Sequence, residues 1–364
     1  MEHNYSEFKN YYLCTMRNSI DLSLISKHRA ELMGFAIIIV MLFHVETPRA
    51  DAFYGLRRMG NLGVDIFLFL SGIGLWYSWS KQQNWKRFYL NRAIRIYPAW
   101  LIVAGYYYIS HFHYGHTRYA MPFGGTGDAG LDSIIDLIGD VLFNWDFWLH
   151  DELTFWYVPA TMMLYIFAPM YMELVRRWPA YRWLVVLPLM WPIMVQYITP
   201  IHHAVGHIEI FWSRVPIFFL GINIAESIRQ KKTIDRAVWP MVVVFFAISL
   251  GACIWLEQMR HGRFPLYTER MLYIVLAVTT VLIMSHVFSW TAEAFSRRNL
   301  TPYINKGVAW VGGISLEIYL VHIEFILKPL YRLHLGYWPT FLLLVLISLP
   351  AAWIVSKVAS LIHN

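Results

Sequence analysis

The stretch RAELMGFAIIIVMLFH, residues 29 to 44, decides the fold class of this chain. It is apolar and close to the length of about 20 residues that a membrane-crossing helix needs. Yet it begins with Arg29 and Glu31 and ends with His44. A soluble helix would spread its polar residues along one face, and a simple membrane anchor would carry none. The stretch therefore predicts a membrane helix whose polar ends need an explanation.

The composition of the chain also indicates a membrane protein. Of its 364 residues, 58% are hydrophobic and 15% are charged, which is far more apolar than a soluble domain of this length needs. Residues 1–28 lack the pattern of a signal peptide, so we expect a cytoplasmic tail followed by a retained first span. Cys14 and Cys253 indicate neither a disulfide framework nor a thiolate metal site. The net charge of +7 is interpreted as anchoring at the cytoplasmic face, without nucleic-acid binding.

Ten apolar runs are predicted to cross the membrane. They cover roughly residues 30–47, 63–79, 96–110, 156–172, 183–199, 210–226, 238–256, 270–289, 308–327 and 339–357. With the N-terminus inside, 20 of the 30 Lys and Arg residues fall on the cytoplasmic side, so the positive-inside rule favours both termini in the cytoplasm. The predicted fold class is all-α, with residues 29–364 as a single transmembrane domain.

The long connection over residues 111–155 is extracytoplasmic in this topology, and LDSIIDLIGDVLF within it is a candidate interfacial helix. A loop of this length is commonly functional.

Ionisable residues inside a bilayer are costly, so each one is a candidate functional residue. His44 lies 15 residues after Arg29, which is about 22 Å along a helix toward the predicted outer side. Asp65 begins the second span on that side. The pair could act as a base with its orienting carboxylate. Alternatively, His44 lies at the interface, and Asp65 is a helix N-terminal residue favoured by the dipole.

A second group of charged residues leads into the third span, in KRFYLNRAIRIYPAW at residues 86–100. Arg92 and Arg95 are three residues apart, so on a helix they share a face and could bind one phosphate-bearing ligand. The alternative is ordinary positive-inside anchoring, which composition alone favours.

Two further stretches carry candidate residues with open roles. GGISLEIYLVHIEF at residues 312–325 places Glu317 and His322 in one span, five residues apart and therefore only loosely on one face. Trp156 and Tyr157, in FWYVPA, could form a substrate platform or belong to an interfacial aromatic belt.

The connection at residues 111–155 also includes His111, His113 and His116, and His202, His203 and His207 lie on the same predicted side. A metal site made of these histidines lacks carboxylate support in the sequence, so no metal is expected.

Four of these stretches, read together, resemble one family. RAELMGFAIIIVMLFH, GVDIFLFLSGIGL, FYLNRAIRIYPAW and ISLEIYLVH are similar in order and spacing to the signatures of the integral-membrane acyltransferases called acyltransferase 3. The resemblance covers roughly residues 25–357. The R-x-E-L-M-G opening is similar to a branch that is found near bacterial surface-polysaccharide genes.

The resemblance implies transfer of an acyl group, usually acetyl from acetyl-CoA, to a hydroxyl of a glycan or lipid-linked saccharide at the inner membrane. It implies that His44 is the essential histidine, that Asp65 is the acidic residue after Gly-Val, and that Arg92 and Arg95 hold the CoA end. Glu317 and His322 fall in a late signature of less defined role. Membrane lipids are expected partners, and homo-oligomerisation stays open.

The sequence departs from the family at one position. The family usually has Arg or Lys eleven residues before the histidine, where this chain has Met33. Arg29, one helical turn earlier, lies on nearly the same face and could supply the charge to the acyl donor.

The alternative function is a proton-coupled transporter or flippase in which His44, Asp65 and Glu317 relay protons. Transporters often have repeated halves, and the sequence shows no such repeat. A membrane partner without chemistry is disfavoured by the intramembrane ionisable residues.

Overall fold

The computed structural model describes residues 19–260, 266–298 and 300–362. Cys14 and most of the predicted N-terminal tail lie outside the described residues. The described helices are α1 Ser23–Lys27, α2 Arg29–His44, α3 Tyr54–Arg58, α4 Leu62–Lys81, α5 Trp85–Trp100, α6 Tyr106–Ser110, α7 Ala129–Phe143, α8 Trp145–His150, α9 Tyr157–Arg177, α10 Val186–Tyr197, α11 Thr199–Val205, α12 Glu209–Trp212, α13 Val215–Arg229, α14 Trp239–Arg260, α15 Leu266–Arg297, α16 Tyr303–Gly313, α17 Ser315–Val321, α18 Lys328–Tyr331 and α19 Tyr337–Leu361.

Among the described residues, five helices are long and apolar enough to cross a membrane, and the number rises to seven if each of two bent helix pairs is one span. All ten predicted runs coincide with helical segments, but the first and sixth form helices of only 16 and 15 residues. The structure is thus nearly all-α, as predicted. The count of ten spans and the side on which the termini lie stay predictions.

Two π-helical segments interrupt the helices, at Leu101–Gly105 between α5 and α6 and at His322–Leu327 after α17. The second lies in a helix pair that bends by 62° between α16 and α17. Short π segments inside α-helices often occur at functional sites, and this one begins at His322.

Helix α2 packs at the centre of the bundle, against α4 on one side and α16 on the other. Gly34 and Gly312 make the close approach to α16 possible, because a Cβ at either position would overlap with a backbone carbonyl of the facing helix, that of Val308 or Ala30. Small residues at such crossings are typical of helix packing in membranes, where close van der Waals contact drives association. The helix that carries Arg29 and His44 is therefore held rigidly.

A two-stranded antiparallel sheet departs from the all-α expectation. Its strands, β1 Ser19–Asp21 and β2 Thr233–Asp235, pair Ile20 with Ile234. Both strands belong to segments that the charge pattern assigns to the same side of the membrane.

Candidate active site

His44 lies at the C-terminal end of α2, and its hydrogen bonds define its protonation. Its Nδ1 is 2.9 Å from the carbonyl oxygen of Val40. A backbone carbonyl can only accept, so Nδ1 carries the hydrogen of the neutral ring, and Nε2 keeps its lone pair. In this tautomer His44 has the free basic nitrogen that a general base or a nucleophile requires.

His322 lies beside His44, with its Nε2 3.3 Å from Nδ1 of His44. Its own Nδ1 is 3.0 Å from the carbonyl oxygen of Ile318 and 2.8 Å from that of Tyr319, so Nδ1 donates and Nε2 accepts. His322 is completely buried. It can therefore stabilise positive charge that develops on the His44 ring, which is the task of the orienting carboxylate in a catalytic triad.

The other end of α2 faces a cavity of about 360 Å³ that contains a cluster of three arginines. Arg29, Arg92 and Arg95 all line this cavity, and we call them the arginine cluster. The Nε atoms of Arg29 and Arg92 are buried without a hydrogen-bond partner. Guanidinium groups with a buried nitrogen that has no partner are suited to an anionic ligand, and Arg binds phosphate with particular geometric fit. The structure thus brings Arg29 together with Arg92 and Arg95, while Met33 lines the same cavity.

A second cavity, of about 450 Å³, lies at the His44 end. We call it the histidine cavity and the first one the arginine cavity. The wall of the histidine cavity includes His44, four charged residues, and aromatic and polar side chains. These lining residues are Phe43, Arg58, Asn61, Glu152, Thr154, Phe155, Trp156, Arg270 and Glu324. The predicted extracytoplasmic connection thus contributes directly to the wall, at residues 152–155.

The two cavities adjoin each other, since Val40, Val64 and Tyr319 line both. Val40 is one helical turn from His44 on α2. A ligand in the arginine cavity can therefore approach the last turn of α2, which ends at His44.

Trp156 and Tyr157 lie on either side of this junction. Trp156 lines the histidine cavity and Tyr157 lines the arginine cavity. The backbone N–H of Tyr157 donates to the hydroxyl of Tyr319 at 3.0 Å, and the two tyrosine rings pack with centroids 5.2 Å apart. These residues form part of the wall between the cavities.

Asp65 has a different partner from the one that the sequence predicted. It is buried, and its carboxylate oxygen Oδ1 lies 4.0 Å from Nε of Arg214. Arg214 also donates to Asn61 at 2.9 Å and lies over the ring of Trp156. Within the described residues, the ring nitrogen contacts of His44 run to Val40 and His322. Asp65 therefore helps to position Arg214 against Trp156 in the cavity wall. His322 lies beside His44 instead.

Glu317 lies in α17, within electrostatic range of Arg95. It is half-buried and can moderate the charge of the arginine cluster. The geometry does not bring it to His44.

The sequence analysis did not single out Arg58, Arg214 or Arg270 as site residues. Arg214 falls inside the predicted sixth span, and Arg270 falls at the start of the eighth. The rule that intramembrane charges are functional candidates would have identified both. Arg58 precedes the second span and gave no such signal.

Comparison with known proteins identifies the family. Residues 32–357 match the family described as an acyltransferase domain, acyltransferase 3. The chain belongs to the acyltransferase 3 family. The resemblance seen in the sequence is thereby confirmed, and with it membrane acyl transfer as the general activity of the family.

One curated relative of this acyltransferase is the protein named regulator of hypoxia-inducible factor 1 from Caenorhabditis elegans. The two are 30% identical over 173 residues, which cover 40% of this chain and 33% of the relative. This chain therefore matches about a third of that protein's length. No solved structure matches the chain.

Proposed function

We propose that this acyltransferase transfers an acetyl group from cytoplasmic acetyl-CoA to a hydroxyl of a surface glycan or lipid-linked saccharide at the bacterial inner membrane. The observation that carries the proposal is the pair of adjoining cavities that share Val40, Val64 and Tyr319, with His44 one helical turn from Val40.

The arginine cavity suits the acyl donor. Arg29, Arg92 and Arg95 provide positive charge for the phosphates of CoA, and two of the three have a buried nitrogen without a partner. Beyond the cluster, the cavity continues along mostly apolar side chains such as Phe67, Leu75 and Leu316. A phosphate-bearing head and a thin, weakly polar arm that ends in a thioester match this division.

The histidine cavity suits a hydroxyl-rich acceptor. Aromatic rings at Phe155 and Trp156 offer flat surfaces for a sugar, and Glu152 and Glu324 offer hydrogen-bond acceptors for hydroxyl groups. Small-ligand sites commonly combine such apolar walls with a few placed polar groups.

In the proposed reaction, Nε2 of His44 removes the proton from the acceptor hydroxyl. The oxygen attacks the thioester carbonyl, the C–S bond breaks, and the proton on His44 passes to the CoA thiolate. His322 stabilises the His44 ring while it is protonated. Transfer through an acetyl-histidine intermediate would use the same nitrogen.

Radiolabelled acetyl-CoA supplied to membranes containing the protein tests the proposal. We expect label in membrane glycans with the wild-type chain and none with His44→Ala. Transport of unlabelled substrate without acetyl transfer would favour the transporter alternative, because a transporter leaves no covalent label.

A further inference from the structure

Three buried aspartates meet in the connection between residues 111 and 155. Asp136 and Asp140 are one turn apart on α7. Asn144 then adopts a left-handed conformation, with φ 47° and ψ 58°, so that α8 turns back and brings Asp146 to them. Carboxylate oxygens of all three residues lie within 4.8 Å of one another, and none of the three side chains is more than 8% exposed. We call this group the aspartate cluster.

The carboxylate of Asp146 has no hydrogen-bond donor among the described residues. It is 1% exposed, and both of its carboxylate oxygens are buried without a partner. Nε2 of His150 lies 3.9 Å from its Oδ1, which is too far for a hydrogen bond. Nearly all buried polar side-chain atoms in proteins have a partner in the protein, in ordered water or in an ion, so the position of Asp146 indicates a missing ligand.

The other two aspartates hold their positions through neighbouring donors. Asp136 accepts from Nε1 of Trp145 at 3.0 Å and from the backbone N–H of Arg118 at 3.3 Å. Asp140 accepts from the backbone N–H of Asp146 at 3.3 Å. These bonds leave further lone pairs on each carboxylate, because each oxygen can accept more than one bond.

The positive charge nearby does not balance three carboxylates. The guanidinium of Arg118 donates to the hydroxyl of Tyr107 at 3.3 Å and has only a minor influence on Asp140 and Asp146. The cluster must therefore either retain protons or bind a cation.

There is room for an ion or water beside two of the three aspartates. A small cavity of about 30 Å³ borders Asp136 and Asp140, and His111, His113 and His116 line its other side. One water needs about 10–15 Å³ of such space. The carboxylate support that the loop histidines lack in the sequence is thus provided by the fold.

We propose that Asp136, Asp140 and Asp146 form a site for a divalent cation, and that the cation is Ca²⁺. Several carboxylate ligands within a short distance of one another suit Ca²⁺, whereas Mg²⁺ keeps most of its waters and usually takes one or two carboxylates. Ca²⁺ would neutralise the buried charge and supply the missing partner of Asp146.

The site would also support the wall of the histidine cavity. Nδ2 of Asn144 donates to the carbonyl oxygen of Thr154 at 2.8 Å, and the Phe147 and Trp156 rings pack with centroids 6.3 Å apart. Thr154 and Trp156 both line that cavity, so the cation would fix the segment that forms it.

Calcium titration of the full chain, purified in detergent and stripped of metal with EDTA at pH 8, tests the proposal. Isothermal titration calorimetry should give one Ca²⁺ per chain, and saturating Ca²⁺ should raise the Tm by about 2 °C or more. Asp146→Asn should weaken binding at least about tenfold, because it removes one charged ligand. Asp132→Asn is the matched control, since Asp132 lies on the same helix and bonds to Thr126 instead; it should bind Ca²⁺ like the wild type.

Several outcomes would overturn the proposal. One is the absence of saturable binding of Ca²⁺, Mg²⁺ and Mn²⁺ to the wild-type chain at millimolar concentrations, which would mean that protons satisfy the cluster. This measurement decides the matter even if Asp146→Asn does not fold. Undiminished binding in folded Asp146→Asn would place the ion elsewhere, and tighter binding of Mg²⁺ than of Ca²⁺ would refute the assignment to Ca²⁺.

Discussion

Replacing His322 tests whether it supports His44 in the reaction. His322→Leu keeps an apolar side chain in the buried site but removes the acceptor that lies 3.3 Å from Nδ1 of His44. A hydrogen bond to a charged group contributes about 1.5–3 kcal/mol. The contact is long, and Nδ1 of His44 also bonds to Val40 at 2.9 Å, so we expect the lower half of that range. Since about 1.4 kcal/mol is tenfold in rate, kcat should fall about 10- to 40-fold.

The assay is steady-state acetyl transfer by purified protein, with kcat and KM for acetyl-CoA measured separately. KM should change little, because His322 does not line the arginine cavity. His322→Gln, whose amide oxygen can still accept from His44, should recover most of the lost kcat. A wild-type kcat in folded His322→Leu would show that His322 does not support His44 in the reaction. An equal loss of kcat in both variants would also contradict this role, since it would indicate that His322 is purely structural.

Three further predictions concern other parts of the site. Arg92→Gln and Arg95→Gln should each raise KM for acetyl-CoA roughly tenfold or more with kcat nearly unchanged. The control Lys357→Gln, at the far end of α19, should leave KM unchanged. An unchanged KM in both arginine variants would show that the arginine cluster does not bind the donor. Asp65→Asn should lower stability by about 3–5 kcal/mol because it removes the carboxylate that pairs with buried Arg214, as measured by thermal unfolding. A stable protein with selectively lost kcat would restore Asp65 as the partner of His44. Gly312→Ala should reduce the yield of folded protein, because the added Cβ overlaps with the backbone of Ala30 at a cost of about 1–3 kcal/mol. The control Gly313→Ala, whose added Cβ has no neighbour within 4 Å, should fold like the wild type. Equal yields of the two variants would contradict the close packing of α2.

The sequence identifies the helices well, because apolar runs of membrane length leave few alternatives. It also places His44 and Arg29 at opposite ends of one helix, since the rise along α2 separates them by about 22 Å. The family signatures are confirmed by the match over residues 32–357. Breaks within helices are harder to see: the bend between α16 and α17, and the π segment at His322, depend on packing and leave no strong local signal.

Pairings between distant helices could not be read from spacing. Asp65 and His44 are neighbours at the ends of consecutive predicted spans, which favours a pair, but Arg214 and His322 approach them from segments far along the chain. The aspartate cluster has the same origin. Asp136 and Asp140 are recognisable as one helix face, whereas Asp146 joins them only because Asn144 turns the chain. Contacts of this kind are set by the tertiary fold.

The central claim is that Nε2 of His44 activates the acceptor hydroxyl where the two cavities meet. The most direct test compares purified wild-type and His44→Ala protein in one reaction with radiolabelled acetyl-CoA and a glycan acceptor, together with a separate measurement of acetyl-CoA binding. We expect His44→Ala to bind acetyl-CoA like the wild type but to transfer no acetyl group. Acetyl transfer by His44→Ala at the wild-type rate would contradict the claim.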